Sequence, residues 1–533
     1  MTLPLIPNPA ATTTGDTDAL AVRDGMAVVV PSPDLLPTVR RFIDDVRTDA
    51  GVALALSAEP VANPAITVAL DTAHLDSIAP AGGLRADGAS PIGSADERHR
   101  ITIDADGIRV WAATTEGIHR GLTSVRQLLT AAARGGEASL SPATILDGPR
   151  FAWRGLSLDV ARTFHEPATV RRVIDMCSLY KLNVLHLHLT DDQGWRVEIP
   201  ARPALTTGGD GHYTPADMRD LVAYAAERFV TLVPEIDMPG HTGAIFQAYP
   251  ELAPTGADLD GFAAATLDPG RDETWEFVED VLDAVIPQFP QSAYLHVGGD
   301  EAFGMADDAH AAFVERAIEL VRRRGRRTVG WQEIARATLS PDDVVQYWMD
   351  TRDTEAFLES GALDAVVPPE FMSVIREALP KAEADVPSAL ARGNRLLISP
   401  TSRLYYDRPH AAPSWDADQE ELRARVGLPI YPPLSLRDGV DWDPVDDTPG
   451  LDADDAVAGI EAAIWCETIK NREELEFMLL PRLGGIAEKA WSRHENTDWA
   501  DYVDRLAPQR IAWDARGWTW FRSREIEWAL TPG

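Results

Sequence analysis

Cysteine is almost missing from this chain. Only Cys177 and Cys466 occur in 533 residues, too few for a disulfide framework or a cysteine-based zinc site, so two free thiols are expected. Basic residues are scarce too. Against 84 Asp and Glu stand 49 Lys and Arg, a formal net charge of -35, and lysine occurs only at 181, 381, 470 and 489. Such a field repels phosphate backbones and anionic lipid, which excludes nucleic acid and membrane surfaces as partners. No apolar run approaches the roughly 18 residues of a membrane span. The opening MTLPLIPNPAATTTGDTDAL has neither the charged start nor the apolar stretch of a secretory leader, so the cytoplasm is the expected compartment. Internal repeats and low-complexity tracts are absent as well.

What is present is an ordinary globular balance, 45% hydrophobic and 25% charged, in a chain long enough for two to four domains at about 150 residues each. Residues 1–25, rich in Pro, Thr and Ala, are expected to form a loose arm. Residues 26–147 mix strands with helices. AVVV (27–30), AITVALD (65–71) and the hairpin RITIDADGIRVWAA (100–113) read as strands, and PDLLPTVRRFIDDVRTDAG and TEGIHRGLTSVRQLLTAAA as amphipathic helices. This predicts a small α+β domain without chemistry of its own.

From residue 148 to 533 strands alternate with helices. WRGLSLDV (153–160), NVLHLHLT (183–190), VTLVPEID (230–237), AYLHVGG (293–299), RTVGWQE (327–333), VVQYWM (344–349), RLLISP (395–400) and IEAAIW (460–465) are eight candidate strands. Eight βα units predict an α/β fold, a closed (β/α)8 barrel followed by C-terminal helices, and such a barrel carries its site at the carboxyl ends of its strands. Polar and aromatic residues gather there: Arg162 after the first strand, Asp191 and Asp192 after the second, Asp237 and His241 after the third, Asp300 and Glu301 after the fourth. Trp331 and Glu333 end the fifth, Trp348 and Asp350 the sixth, Tyr405 and Asp407 follow the seventh, and Trp465 and Glu467 end the eighth. Carboxylates that accept hydroxyl protons and flat apolar faces around one mouth suit a sugar ring.

The sharpest local signal is HVGGDEAFG (296–304), where two glycines turn a strand into two adjacent carboxylates. Neighbouring residues cannot flank a glycosidic bond at the roughly 5–5.5 Å of an ordinary retaining pair. One of them therefore has a task other than direct attack. If a 2-acetamido carbonyl of the substrate is the nucleophile, one carboxylate protonates the leaving oxygen while its neighbour steadies the acetamido nitrogen.

RGLSLDVARTF, NVLHLHLTDDQGWRVEIP, LVPEIDMPGHT, LHVGGDEAF, GWQE, YWMD, LYYD and IWCET, in this order, resemble the motif series of glycoside hydrolase family 20, the β-N-acetylhexosaminidases. The resemblance runs from about Trp153 to Trp491, and the α+β domain is similar to the one that often precedes the family's barrel. It implies a retaining enzyme that removes terminal non-reducing N-acetylglucosamine or N-acetylgalactosamine from an oligosaccharide or glycoconjugate, by substrate assistance through an oxazolinium ion, with no cofactor and no metal. It further implies Glu301 as general acid/base, Asp300 as the residue that orients the acetamido group, and Tyr405 as donor to the acetamido oxygen. Trp331, Trp348 and Trp465 become aromatic walls, Arg162 the anchor of the 3- and 4-hydroxyls, and Asp407 and Glu467 acceptors for the 4- and 6-hydroxyls. Asp191 and His241 become the pair that positions Glu301.

The span from Trp348 to Tyr405 is longer than the family pattern suggests, with the excess at 368–393. There FMSVIREAL can form a helix with Phe371, Val374, Ile375 and Leu379 on one side. It is expected either to narrow the leaving-group side of the mouth, or to meet a second subunit, or to rest on its own barrel. Trp415 and Trp442 both compete to be the aromatic platform for the next sugar. Three rival readings stand beside the main one: a lacto-N-biosidase-like enzyme, a sugar-binding protein without catalysis, and a metallohydrolase built on His186 and His188 with His241, His296 or Asp300.

Overall fold

The fold is described from a computed structural model covering residues 2–15, 18–73, 75–209, 211–254, 265–359, 369–493 and 498–528. In the N-terminal region a seven-stranded mixed sheet carries the helices Leu36–Ala50 and Thr115–Ala132 on one face. The predicted hairpin forms between His99–Asp104 and Gly107–Ala112, and Thr114 caps the longer helix by accepting from the Gly117 amide. The loose arm expected over residues 1–25 is corrected. Ala11–Thr14 pairs antiparallel with Ala143–Asp147, and Leu20–Arg23 pairs with Glu137–Leu140. Leu5 is buried in the N-terminal core while Ile6 joins the barrel's core, so burial of these two side chains staples the start of the chain to both.

The strands Trp153–Asp159, Val184–His188, Thr231–Glu235, Tyr294–His296, Arg327–Trp331, Val344–Tyr347, Arg395–Ile398 and Val457–Ile464 close in sequence order into a parallel barrel. Each lies where the alternation places a strand. Because side chains alternate faces, Leu185 and Leu187 point outward to the helices while Val184, His186 and His188 point inward. The inward positions stack in layers. The lowest is apolar, one residue per strand: Trp153, Val184, Val233, Tyr294, Val329, Val344, Leu397 and Ala458, capped by Ala86 from the N-terminal region.

Further along the strands the next layer turns polar, with His186, Glu235, His296, Trp331, Gln346, Ser399 and Glu461 bonded to one another. His186 Nδ1 lies 2.9 Å from Glu461 Oε1, Trp331 Nε1 donates to Glu235 Oε1 at 2.7 Å, and Gln346 Nε2 donates to Ser399 Oγ at 2.9 Å. Burial opposes charge on Glu235, but three surrounding histidines outweigh it and hold its carboxyl well below the usual range. The next layer is the mouth.

The excess segment forms a helix, Pro369–Ala391. Pro368 and the side chains of Phe371, Val374 and Ile375 lie outside the described residues, while Leu379 is buried as its spacing predicts. Cys177 and Cys466 are both free and buried. Among the described residues no helix is long and apolar enough to cross a membrane.

Candidate active site

Glycine geometry sets the turn after the fourth strand. Gly298 and Gly299 have φ of 67° and 99°, a region side chains avoid. A Cβ on Gly298 would stand 1.6 Å from Asp237 Oδ1. That same oxygen accepts from the Gly299 amide at 3.2 Å. Glu301 itself takes φ 46° and His241 φ 53°. Each left-handed non-glycine residue stores about 1–3 kcal/mol of strain, of the kind concentrated at functional sites.

Asp300 and Glu301 open onto a cavity of about 600 Å³ at the carboxyl ends of the strands. His241 lies between two sets of carboxylates: Nδ1 is 3.3 Å from Asp191, while Nε2 is 3.7 Å from Asp300 Oδ2 and 3.5 Å from Glu301 Oε2. Burial disfavours the imidazolium, but Asp191 and Asp237 outweigh it, and the His241 pKa rises well above 6.5. Asp191 is buried yet held well below the usual carboxylate range by Arg162 and His241. Arg162 Nη2 meets Asp191 Oδ2 at 2.8 Å, and its Nε stands 3.9 Å from Glu467 Oε1. This side of the mouth is a chain of alternating charges ending at Glu301.

Aromatic rings close the floor. Trp348 stacks on Tyr405 with centroids 6.3 Å apart and planes 16° from parallel, and Trp465 stands 5.9 Å from Tyr405 and 5.7 Å from Trp331. Trp348 Nε1 donates to Glu333 Oε2 at 3.0 Å, and burial with the charge of Asp300 pushes the Glu333 carboxyl up to about 8. Burial also drives the Tyr405 phenol well above 10, so it remains a proton donor at neutral pH.

Of the strand-end residues singled out in the sequence, Arg162, Asp191, Asp237, His241, Asp300, Glu301, Glu333, Trp348, Tyr405, Trp465 and Glu467 line this one cavity. Trp331 and Asp407 lie one layer deeper, Trp331 against Trp465 and Asp407 fully buried. Both carboxylate oxygens of Asp407 lack a hydrogen-bond partner, and burial with the nearby Glu467 lifts its pKa well above the usual value.

The choice between Trp415 and Trp442 is corrected, since neither lines the cavity. Trp415 is half exposed and donates to Ile526 O, while Trp442 is packed in the barrel's outer core. The aromatic between Asp407 and Trp465 that does line the cavity is Tyr431, 6.1 Å from Tyr405 at 84°. Its loop is tied to Asp407 by the Leu428 amide, which donates to Asp407 O at 2.7 Å. The sequence reading also gave no role to Asp237, whose pKa is pushed well above the carboxylate range by burial and Asp300. Its place at a strand end, two positions beyond Glu235, was the available signal.

The residues of the metal-site reading do come together: donor atoms of His186, Glu235 and His296, and of His188, Glu235 and Asp237, lie within 4.8 Å of one another, and several of the same groups are joined by hydrogen bonds. His188 uses both ring nitrogens, Nδ1 2.6 Å from Glu235 and Nε2 2.8 Å from Asp191, and His186 lies a layer below the mouth. These contacts brace Asp191 from beneath.

A closed (β/α)8 barrel with acids and aromatic rings converging on one sugar-sized cavity defines a carbohydrate-cleaving hydrolase. The model of glycosyl hydrolase family 20, catalytic domain, matches residues 151–306 and 379–494, and that of the family's domain 2 matches residues 2–148. A beta-N-acetylhexosaminidase of Cellulomonas fimi is 35% identical over 447 residues, 81% of this chain and 82% of that one. The GH20 beta-N-acetylhexosaminidase of Streptomyces coelicolor A3(2) superposes with a TM-score of 0.81 at 33% identity, covering 99% of each chain. A mutant Streptomyces plicatus beta-hexosaminidase in complex with the product GlcNAc gives 0.81 at 31% identity, covering 99% of this chain and 98% of that one. The chain belongs to glycosyl hydrolase family 20 and is a glycoside hydrolase of the beta-N-acetylhexosaminidase kind.

Proposed function

We propose that the chain is a retaining exo-β-N-acetylhexosaminidase in which the substrate's own acetamido oxygen attacks the anomeric carbon. The observation that carries this is the pairing of adjacent Asp300 and Glu301 with an aromatic floor of Trp348, Tyr405 and Trp465. A carboxylate beside the general acid cannot be the backside nucleophile, whereas an acetamido group folded onto that floor can. In this reading Glu301 protonates the glycosidic oxygen as the C1–O bond breaks. Asp300 accepts the amide N–H, the Tyr405 hydroxyl donates to the amide oxygen, and the methyl packs among Trp331, Trp348 and Trp465. The resulting oxazolinium ion is opened by water, whose proton returns to Glu301.

The other end of the sugar is held by Arg162 through its 3- and 4-hydroxyls, and by Glu467 and Asp407 through the 4- and 6-hydroxyls. A sugar hydroxyl would give the unpartnered Asp407 carboxyl group the bond it lacks. The raised pKa of His241 keeps a proton between Asp191 and the Asp300–Glu301 pair, holding Glu301 toward the leaving oxygen. The substrate would be an N-acetylhexosamine-terminated oligosaccharide or glycoconjugate.

Binding of the thiazoline analogue of N-acetylglucosamine tests this reading, since it imitates the cyclised intermediate. It should bind at least about 10²-fold tighter than the sugar itself, and plain β-glucosides, lacking the attacking oxygen, should scarcely turn over. A trapped glycosyl-Asp or glycosyl-Glu adduct would contradict the mechanism.

A further inference from the structure

Two neighbouring residues grip Trp348 from one turn. Gln332 and Glu333 open the short turn Gln332–Arg336 that follows the fifth barrel strand. Gln332 is fully buried, and its Oε1 accepts from the Trp348 amide at 3.1 Å and from the Met349 amide at 2.9 Å. Its Nε2 donates to Ala382 O at 3.4 Å, so helix Pro369–Ala391, whose Val386 and Ala389 join the main core, backs the turn. Glu333 takes the other end of the residue, accepting from Trp348 Nε1 through Oε2 at 3.0 Å. The face of the indole lies on Tyr405. Held at its backbone, its ring edge and one face, this indole is a fixed wall.

The bond to Trp348 is one that a neutral group can make. Asp300 approaches Glu333 from the turn after the fourth strand and Asp385 from the helix, while Arg336 of the same turn is engaged by Asp385, to which its Nε and Nη2 donate at 3.0 and 2.7 Å. Burial, with the like charge of Asp300, pushes the Glu333 carboxyl up to about 8 against the pull of Arg336, so at pH 7 it is mostly the uncharged acid. An uncharged acid accepts an indole N–H through its carbonyl oxygen, as a glutamine side chain would.

We propose that Glu333 is a positioning residue that fixes the width of the acetamido pocket by pinning the Trp348 indole. The inference rests on the hexosaminidase reading, in which Trp348 packs on the acetamido methyl, and adds to it a residue that acts through that ring. A pinned wall cannot yield to a larger acyl group, and a released one can.

The test compares kcat/KM at pH 7 for the purified full chain on nitrophenyl β-glucosaminides carrying N-acetyl or N-propionyl. One methylene too many in a rigid pocket predicts that the wild type favours acetyl about 10- to 200-fold. Glu333→Leu should lower the rate on acetyl more than on propionyl and narrow that preference about three- to tenfold, the worth of one hydrogen bond. Glu333→Gln should keep the wild-type preference. A preference unmoved in Glu333→Leu, an equal fall on both substrates, or a Glu333→Gln chain as permissive as Glu333→Leu would overturn the role. If Glu333→Leu does not fold, Trp348→Phe removes the same hydrogen bond from the other side, and an unchanged preference there would overturn it as well. A wild type that accepts acetyl and propionyl equally sinks the pinned wall alone, whereas one that cleaves a plain nitrophenyl β-glucoside as fast as the N-acetyl substrate sinks the hexosaminidase reading itself.

Discussion

Glu301 is reached by one line of contacts, Arg162 to Asp191 to His241, and that line decides how its substitution should behave. Glu301→Gln keeps the shape and removes the proton, so turnover of a disaccharide should fall on the order of 10²- to 10⁴-fold. A nitrophenyl substrate, whose leaving group needs little protonation, should suffer less in the bond-breaking step. Wild-type rates on the disaccharide would sink the assignment. Asp191→Asn removes the anion that keeps His241 charged, so the alkaline limb of the pH–rate profile should move to lower pH; an unmoved limb would deny the pair its positioning role.

The strand-end rule was enough to pick out eleven residues that the structure gathers around one cavity. It failed for Tyr431 because that residue sits in a loop between strands, where nothing in the local pattern tells a cavity wall from a surface turn. Trp415 and Trp442 drew attention because the family pattern often supplies an aromatic between Asp407 and Trp465. One leans on the C-terminal segment through Ile526, the other fills the core.

At the level of elements, the eight barrel strands were legible because both their faces are buried, which leaves long apolar runs broken only at the mouth. The strands Ala11–Thr14 and Leu20–Arg23 were not. The first is fully exposed along its length, so no alternation marks it, and its place is fixed only by pairing with residues more than a hundred positions away. The polar middle layer of the barrel was likewise hidden, since the inward positions of separate strands meet only after closure.

Glu235 joins this layer to the mouth, touching Trp331 on one oxygen and His188 on the other. Glu235→Gln leaves buried histidines without their counter-charge and should cost about 3–5 kcal/mol of stability, read from denaturant midpoints. A loss under about 1 kcal/mol would show that the layer is neutral rather than ionic. Gly298→Ala should be equally damaging to the mouth, because the added methyl collides with Asp237. A folded Gly298→Ala chain with full activity would contradict the geometric account of the turn.

Across the whole molecule, buried charge rather than surface charge sets the response to pH. Burial works against His186, but Glu235 and Glu461 outweigh it and push its pKa to about 9. The folded value thus lies above the unfolded value of about 6.5. Its contribution to stability is fully present below pH ~6.5 and is lost as pH rises through about 9. The Tm difference between wild type and His186→Asn should therefore be widest near pH 6 and shrink toward pH 10; a constant difference would contradict the ion pairing. The N-terminal region is joined to the barrel in the same manner, with Glu97 bonded to Arg120 of helix Thr115–Ala132 and to Arg154 of the first barrel strand. Nothing in the sequence marked that contact, because an Arg or Glu at a buried interface looks like any solvated one until its partner is known.

The central claim is that the nucleophile belongs to the substrate. Stepwise fluorination of the N-acetyl methyl group on an aryl N-acetylglucosaminide measures this most directly, because each fluorine weakens the carbonyl oxygen while leaving the aryl leaving group and the ring hydroxyls unchanged. Substrate assistance predicts that kcat/KM falls steeply from acetyl to trifluoroacetyl. A flat dependence on fluorine content would mean that a protein carboxylate attacks instead, and the mechanism built on Asp300 and Glu301 would be wrong.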